Sequence, residues 1–145
     1  MLDAQRKKVY DTYSSLNKLR FHPWYKDVFI GNNISLTRSL AGGFKNITIR
    51  SAADSSMICV VGNFDVTAQA GLFTFPSAGT WFDYLNGVTF SATGAAQSLA
   101  LQPGEFHVYV NRNVSNIATT PVIDINNTAM HCRPLFIPTR WRIIL

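Results

Sequence analysis

The chain has 145 residues, of which 47% are hydrophobic and only 14% are charged, a composition that predicts a folded globular domain and excludes an intrinsically disordered chain. The net charge is +5, but three of the thirteen basic residues lie in the last fifteen residues, leaving ten basic against eight acidic residues elsewhere. Six of those ten lie in the first 26 residues, typical of a solvated helix surface, so no nucleic-acid partner is expected. No apolar run reaches 18 residues, so no membrane span is expected either.

The first predicted element is a helix over residues 2–22. Asp3 is a suitable N-cap, because its carboxylate can accept a hydrogen bond from the first helical turn. Val9, Tyr13, Leu16 and either Leu19 or Arg20 fall at helical spacing and form one apolar stripe. The helix ends at His22, because the proline that follows disfavours the helical conformation in the residue before it.

The middle of the chain reads as short strands separated by turns, with no helical pattern between them. Strands recurring every 8–12 residues or so are typical of a sandwich or barrel. The fold class predicted is therefore all-β, an antiparallel β-sandwich preceded by one N-terminal α-helix. Before the last four strands, the candidate strands cover residues 27–31, 34–37, 44–50, 57–62 and 71–75.

Two turn sequences predict hairpins among the last strands. Asn86-Gly87 separates residues 81–85 from residues 88–90 and predicts a two-residue type I′ turn, which needs positive φ twice. Pro103-Gly104 separates residues 99–101 from residues 105–110, with proline and glycine supplying the two central turn conformations. Together these turns predict a compact antiparallel module.

These segments carry a family resemblance. The run Phe-Pro-Ser-Ala-Gly-Thr-Trp-Phe-Asp-Tyr-Leu-Asn-Gly at 75–87, followed by Leu-Gln-Pro-Gly-Glu-Phe-His-Val-Tyr-Val at 101–110, resembles the end of the C-terminal β-domain of α-amylase family glycoside hydrolases, family 13. The Leu-Asn-Lys-Leu-Arg at 16–20 is similar to the exit of the last helix of that family's catalytic barrel. The resemblance covers roughly residues 5–112.

The resemblance implies a domain organisation and a role. Residues 1–25 would be a remnant of the last barrel helix, residues 26–112 the C-terminal β-sandwich domain, and residues 113–145 a linker and an anomalous tail. The partner would be a catalytic barrel acting on α-glucans such as starch or maltodextrin, which this domain packs against and stabilises. The family's catalytic acids lie in that barrel, so none carries over onto this sequence, which is expected to be inactive alone.

The chain's own residues offer little catalytic chemistry. Glycoside hydrolysis needs two carboxylates across the scissile bond, and a pairing of Asp83 with Glu105 is conceivable. The preferred interpretation is that Asp83 orders a turn and Glu105 solvates one. His107 alternates with Phe106 and Val108, which predicts a solvent-facing position. No glycine-rich phosphate loop and no zinc-ligand spacing occurs, so no cofactor or metal is expected.

The alternative function is an independent carbohydrate-binding module. Aromatic rings can stack on sugar faces, and Trp81 and Tyr84 are the candidate ligand-binding residues. By strand alternation Trp81, Asp83 and Leu85 share one face, while Phe82 and Tyr84 share the other. The competing interpretation, which we favour, is that these rings fill the core or the seam to the barrel.

The cysteines and the C-terminal tail complete the sequence. Cys59 lies in an apolar run and is expected to be a buried free thiol, although a disulfide with Cys132 stays open. Residues 131–145 have no clean period. With permitted codon choices a shifted reading frame gives Val-Tyr-Pro-Asn-Pro, which resembles the start of the sorting domain of the type IX secretion system. We therefore hypothesise a frameshifted tail and an exported parent protein.

Overall fold

The computed structural model describes residues 3–30 and 32–114, which form two helices and eight strands. The helices are α1 (Ala4–Arg20) and α2 (Lys26–Ile30). The strands are β1 (Ile34–Ser39), β2 (Phe44–Ser51), β3 (Met57–Asn63), β4 (Gln69–Thr74), β5 (Gly79–Asp83), β6 (Thr89–Ala92), β7 (Ala96–Leu101) and β8 (Phe106–Val110). The predicted all-β sandwich with an N-terminal helix is confirmed.

The strands form two antiparallel sheets. Six of them form a sheet in the order β1-β2-β3-β8-β5-β6, and β4 pairs with β7 in a second sheet of two strands. One apolar cluster lies between the sheets, because its members come from both: Cys59, Val61, Phe73, Phe75, Trp81, Ala92, Leu99, Leu101 and Tyr109. The thiol of Cys59 is free and buried, as expected, while Cys132 lies outside the described residues.

A second apolar cluster covers the other face of the six-stranded sheet. Leu19 from α1, together with Tyr25 and Val28, packs there against Ile58 from β3 and residues of β8. Both faces of the large sheet are therefore covered, one by the small sheet and one by the helices. This arrangement fixes α1 on the sandwich.

Helix α1 begins and ends close to its predicted limits. Asp3 is the N-cap, and its side chain accepts from the N–H of Gln5. The helix ends at Arg20, with Phe21 as its C-cap.

The expectation of a strand at residues 27–31 is wrong, because α2 occupies Lys26–Ile30. The carbonyl of His22 accepts from the N–H groups of Tyr25 and Lys26, which starts a new helical turn just after Pro23. Tyr25 and Val28, three residues apart, then reach the same apolar cluster.

Both predicted hairpins need correction. Phe82 pairs with Thr89, so the connection from β5 to β6 is a four-residue loop over 84–87 rather than a two-residue turn. Gly87 has φ of 71°, but Asn86 does not have the positive φ that a type I′ turn requires. The Asp83 carboxylate accepts from the N–H groups of Leu85 and Asn86, which stabilises the longer loop.

The turn at Pro103-Gly104 exists, but it does not make a hairpin. Glu105 N–H donates to the Gln102 carbonyl, and Gly104 has φ of 73°. The strands on either side belong to different sheets, since β7 pairs with β4 while β8 pairs with β3 and β5. The turn therefore carries the chain from one sheet to the other.

Candidate functional site

Asp83 is the centre of a polar cluster at one end of the sandwich. It closes β5, and its side chain is almost completely buried. Oδ2 accepts from Nδ2 of Asn86 at 2.7 Å and lies 2.6 Å from Nδ1 of His107. Every part of this carboxylate is thus engaged with its own loop or with β8.

His107 joins Asp83 to Glu105. Its Nε2 lies 3.1 Å from Oε1 of Glu105, and its ring stacks on Tyr109 at a centroid distance of 5.6 Å. The prediction that His107 faces solvent is wrong, because only 17% of its side chain is exposed. Both faces of β8 are covered, so alternation along the strand could not distinguish a buried face from a solvated one.

The electrostatics of the cluster follow from these contacts. The pKa of Glu105 is lowered, chiefly because its Oε2 accepts a hydrogen bond from the N–H of Gln102. The hydrogen bond to His107 and the charge of His107 lower this pKa further. Partial burial opposes that shift. Burial, followed by the charges of Asp83 and Glu105, raises the pKa of Tyr109 to about 12, so its phenol is neutral at physiological pH.

This geometry does not suit glycoside hydrolysis. A glycosidase needs open space for the sugar between its two carboxylates, but here an imidazole fills the space between Asp83 and Glu105. Each ring nitrogen of His107 faces a carboxylate oxygen, so both are engaged within the cluster. The cluster ties the 84–87 loop to the turn before β8.

An open cleft of about 520 Å³ lies beside this cluster, between it and α1. Lys7 and Asp11 of α1 form an ion pair at 2.6 Å on its helical wall, and Asn86 and His107 lie on the opposite wall. The first half of α1 is thus held away from the sandwich, whereas Leu19 near its end is buried.

Trp81 and Tyr84, the predicted sugar-stacking residues, are both packed into the domain. Trp81 is 1% exposed, and the centroid of its ring lies 5.1 Å from that of Phe75. Its Nε1 donates to the Ser77 carbonyl. Tyr84 is partly buried on the helix side, where its hydroxyl donates to the Ser15 carbonyl at 2.8 Å. Leu85 joins Tyr84 rather than Trp81, because regular alternation stops where β5 ends at Asp83.

The apolar stripe of α1 is not covered by the described part of the chain. Val9, Tyr10, Tyr13 and Leu16 are 58%, 70%, 67% and 37% exposed. Successive helical residues lie about 100° apart, which puts the stripe about a quarter turn round the helix from Leu19. Arg6 and Arg20, also exposed, lie at the two ends of the stripe. We call these six residues the outer face of α1.

The described residues show neither a metal site nor a membrane helix. No group of three or more His, Cys, Asp or Glu side chains within 3–30 and 32–114 is arranged to hold a metal ion. Over the same residues, neither helix has the length and apolar character that crossing a bilayer requires.

Comparison with known proteins identifies the fold. No protein-family model matches the chain, and no curated protein matches it. Among solved structures, AmyP in complex with maltose aligns with a TM-score of 0.56 and 18% sequence identity, over 81% of this chain. The fold is shared with part of AmyP. A candidate alpha-galactosidase/melibiase from Bacteroides fragilis NCTC 9343 aligns over 52% of this chain with 15% identity and a TM-score of 0.44.

The alignments cover small parts of both solved proteins. This chain spans 23% of the AmyP chain and 17% of the Bacteroides fragilis chain. The likeness to AmyP therefore concerns only a part of that protein.

Proposed function

We propose that this chain is a non-catalytic C-terminal β-sandwich domain of an α-amylase-like glycoside hydrolase that acts on α-glucans. Its role is to pack against a catalytic barrel and stabilise it. In this proposal residues 1–25 belong to the last barrel helix, residues 26–112 form the domain, and residues 113–145 are a linker and tail. The parent enzyme is exported, as the hypothesis of a frameshifted sorting signal implies.

The observation that carries the proposal is the uncovered outer face of α1. A helix on the surface of a domain normally turns its apolar stripe inwards. Here Leu19 anchors the helix to the sandwich, while Val9, Tyr13 and Leu16 point elsewhere. A helix that belongs to two units needs two apolar faces, one for each. The likeness to one domain of AmyP, solved with maltose, supports the same proposal.

The binding-module alternative loses support from the packing of its candidate residues. Sugar stacking requires an exposed ring face, and the Trp81 ring is buried between the sheets. The hydroxyl of Tyr84 is already engaged with α1.

The coding DNA tests the proposal directly. Reading upstream of the codon for Met1, in the same frame, should reveal a (β/α)8 catalytic barrel that contains a pair of catalytic carboxylates. A frame that encodes no barrel there would refute the proposal, whatever the biochemical properties of the isolated chain.

A further inference from the structure

The outer face of α1 has a charge pattern as well as an apolar one. Arg6, Tyr13 and Arg20 are spaced seven residues apart, and Val9 and Leu16 are also seven apart. Seven residues make almost two helical turns, so both sets run along one side of α1. The arginines lie about 21 Å apart along the axis, one at each end of the apolar stretch.

Neither arginine is neutralised by the described part of the chain. The one Lys or Arg ion pair among residues 3–30 and 32–114 joins Lys7 to Asp11. Arg6 and Arg20 are therefore exposed cations that flank an exposed apolar stretch. Arginine and tyrosine are also the residues that most often dominate protein interfaces.

We infer that the outer face of α1 binds a protein surface whose apolar ridge is flanked at both ends by acidic side chains. This inference rests on the proposed function, in which that surface belongs to the catalytic barrel, and it adds the chemistry of the partner. Acidic groups opposite Arg6 and Arg20 fix the register, and the ridge covers Val9, Tyr13 and Leu16. Opposite charges at an interface select a partner and reject others, because like charges there are costly.

A second copy of the chain does not fit this surface. If two α1 helices paired antiparallel by their outer faces, Arg6 of one copy would meet Arg20 of the other. If they paired parallel, each arginine would meet itself. Both arrangements oppose like charges, so the occupant has to differ from this chain in charge.

An anionic membrane fits less well. Helices that lie in a membrane interface present bulky apolar residues such as Trp, Phe and Leu on one face and many cations on the other. The outer face of α1 offers two tyrosines, one valine and one leucine, but neither Trp nor Phe. Its arginines lie at the ends of the stripe, and on the other side of the helix, where the lysines lie, Lys7 is already paired with Asp11.

The test measures binding of two synthetic helical peptides to the full chain by fluorescence anisotropy. The peptides share one Leu/Ala ridge and carry either Glu or Lys at both flanking positions. We expect the Glu peptide to bind more tightly than the Lys peptide, and the preference to weaken as salt is raised. The double variant Arg6→Glu/Arg20→Glu should reverse the preference, with about a tenfold loss for the Glu peptide.

Lys18→Glu is the matched control. Lys18 is exposed and lies in the last turn of α1 like Arg20, so both substitutions place an unfavourable negative charge at the same helix end. Lys18 points to the opposite side of the helix, so its replacement should leave the peptide preference unchanged.

Four results would overturn the inference: equal or absent binding of the two peptides, an equal loss with Lys18→Glu, dimerisation of the chain, or capture of phosphatidylserine vesicles through the two arginines. If the coding DNA encodes a barrel upstream and any of these four results is obtained, the inference is refuted but the proposed function is not. A frame without a barrel would refute the proposed function independently of the peptide result.

Discussion

At the scale of single residues, the sequence was informative wherever a local rule decided the outcome. Asp3 caps α1 because a carboxylate suits the first turn, and Cys59 is buried because it lies in an apolar run. The position of His107 depends on two loops that meet only after the sheets have assembled. The one available signal was that Glu105 and His107 are two residues apart, so their side chains point to the same side of an extended chain.

The packing role of Trp81 leads to the first prediction. Replacing a buried tryptophan by alanine costs about 3–5 kcal/mol, so Trp81→Ala should lose most of the free energy of unfolding in urea titrations. Trp24→Ala, at a ring that is 36% exposed, should lose much less. If Trp81→Ala keeps full stability but no longer binds a starch affinity gel, Trp81 is a ligand-binding residue.

The lowered pKa of Glu105 leads to a prediction about acid stability. Its carboxylate binds protons less readily in the folded chain than in the unfolded chain, so its contribution to stability is fully present above the ordinary pKa of glutamate. That contribution should be lost progressively as the pH falls from 4.5, the ordinary value, through the lowered pKa of the folded chain. In melting curves against pH, Glu105→Gln should therefore narrow the gap between neutral and acid stability.

Asp11→Asn provides the comparison for this effect. Asp11 is paired with Lys7 on the exposed surface of α1, and such pairs contribute little to stability. The melting temperature of Asp11→Asn should fall with acid pH in the same way as that of the unmodified chain. If the melting temperature of Glu105→Gln also falls in the same way, the polar cluster does not contribute to the loss of stability in acid.

At the scale of elements, the number of strands was easier to predict than their pairing. Alternation and turns indicated β2 and β3 with nearly correct limits, and the glycines at 87 and 104 were correctly assigned to turns. Local sequence could not show that β7 and β8 enter different sheets, because that choice depends on which strands cover the apolar cluster. For the same reason, α2 resembled a strand until Tyr25 and Val28 were seen to share one face.

The contact between the two sheets gives a prediction at this scale. A Cβ at Gly71 of β4 would overlap ring atoms of Phe44 in β2, so β4 can approach the large sheet only because residue 71 lacks a side chain. Gly71→Ala should destabilise the chain by about 1–3 kcal/mol in urea unfolding. Adding Phe44→Leu should restore part of the loss.

Ala70→Val serves as the control for Gly71→Ala. Ala70 is the neighbouring residue on β4 and is exposed, so extra methyl groups there enter solvent rather than the space between the sheets. The variant should retain nearly full stability. Equal destabilisation by both substitutions would mean that β4 itself, rather than its contact with Phe44, is sensitive to added volume.

At the scale of the whole molecule, the two-layer sandwich and its leading helix could be predicted from composition, turn spacing and the position of Pro23. The family resemblance also implied that this helix would belong to a catalytic barrel. What the sequence could not indicate was the angle at which α1 lies on the sheet, because Leu19 and Tyr84 determine that angle through tertiary contacts.

The bridging of Asp83 and Glu105 by His107 leads to the prediction that the chain alone does not hydrolyse starch, maltodextrin or pullulan. Asp83 and Glu105 are bridged by His107 and cannot flank a glycosidic bond in this geometry. Reducing-sugar release should not exceed that of a heat-denatured sample. Release that disappears in Asp83→Asn or Glu105→Gln would contradict this.

The most direct test of the central claim is to express the proposed upstream barrel, without its last helix and β-domain, and to measure its melting temperature with and without this chain. If the domain stabilises the barrel through α1, the unmodified chain should raise the melting temperature by several degrees, since ligands that bind only the folded state stabilise it. The chain with Tyr13→Glu should not, although it remains folded itself, because Tyr13 is exposed. An unchanged melting temperature with the unmodified chain, or the same increase with Tyr13→Glu, would contradict the account.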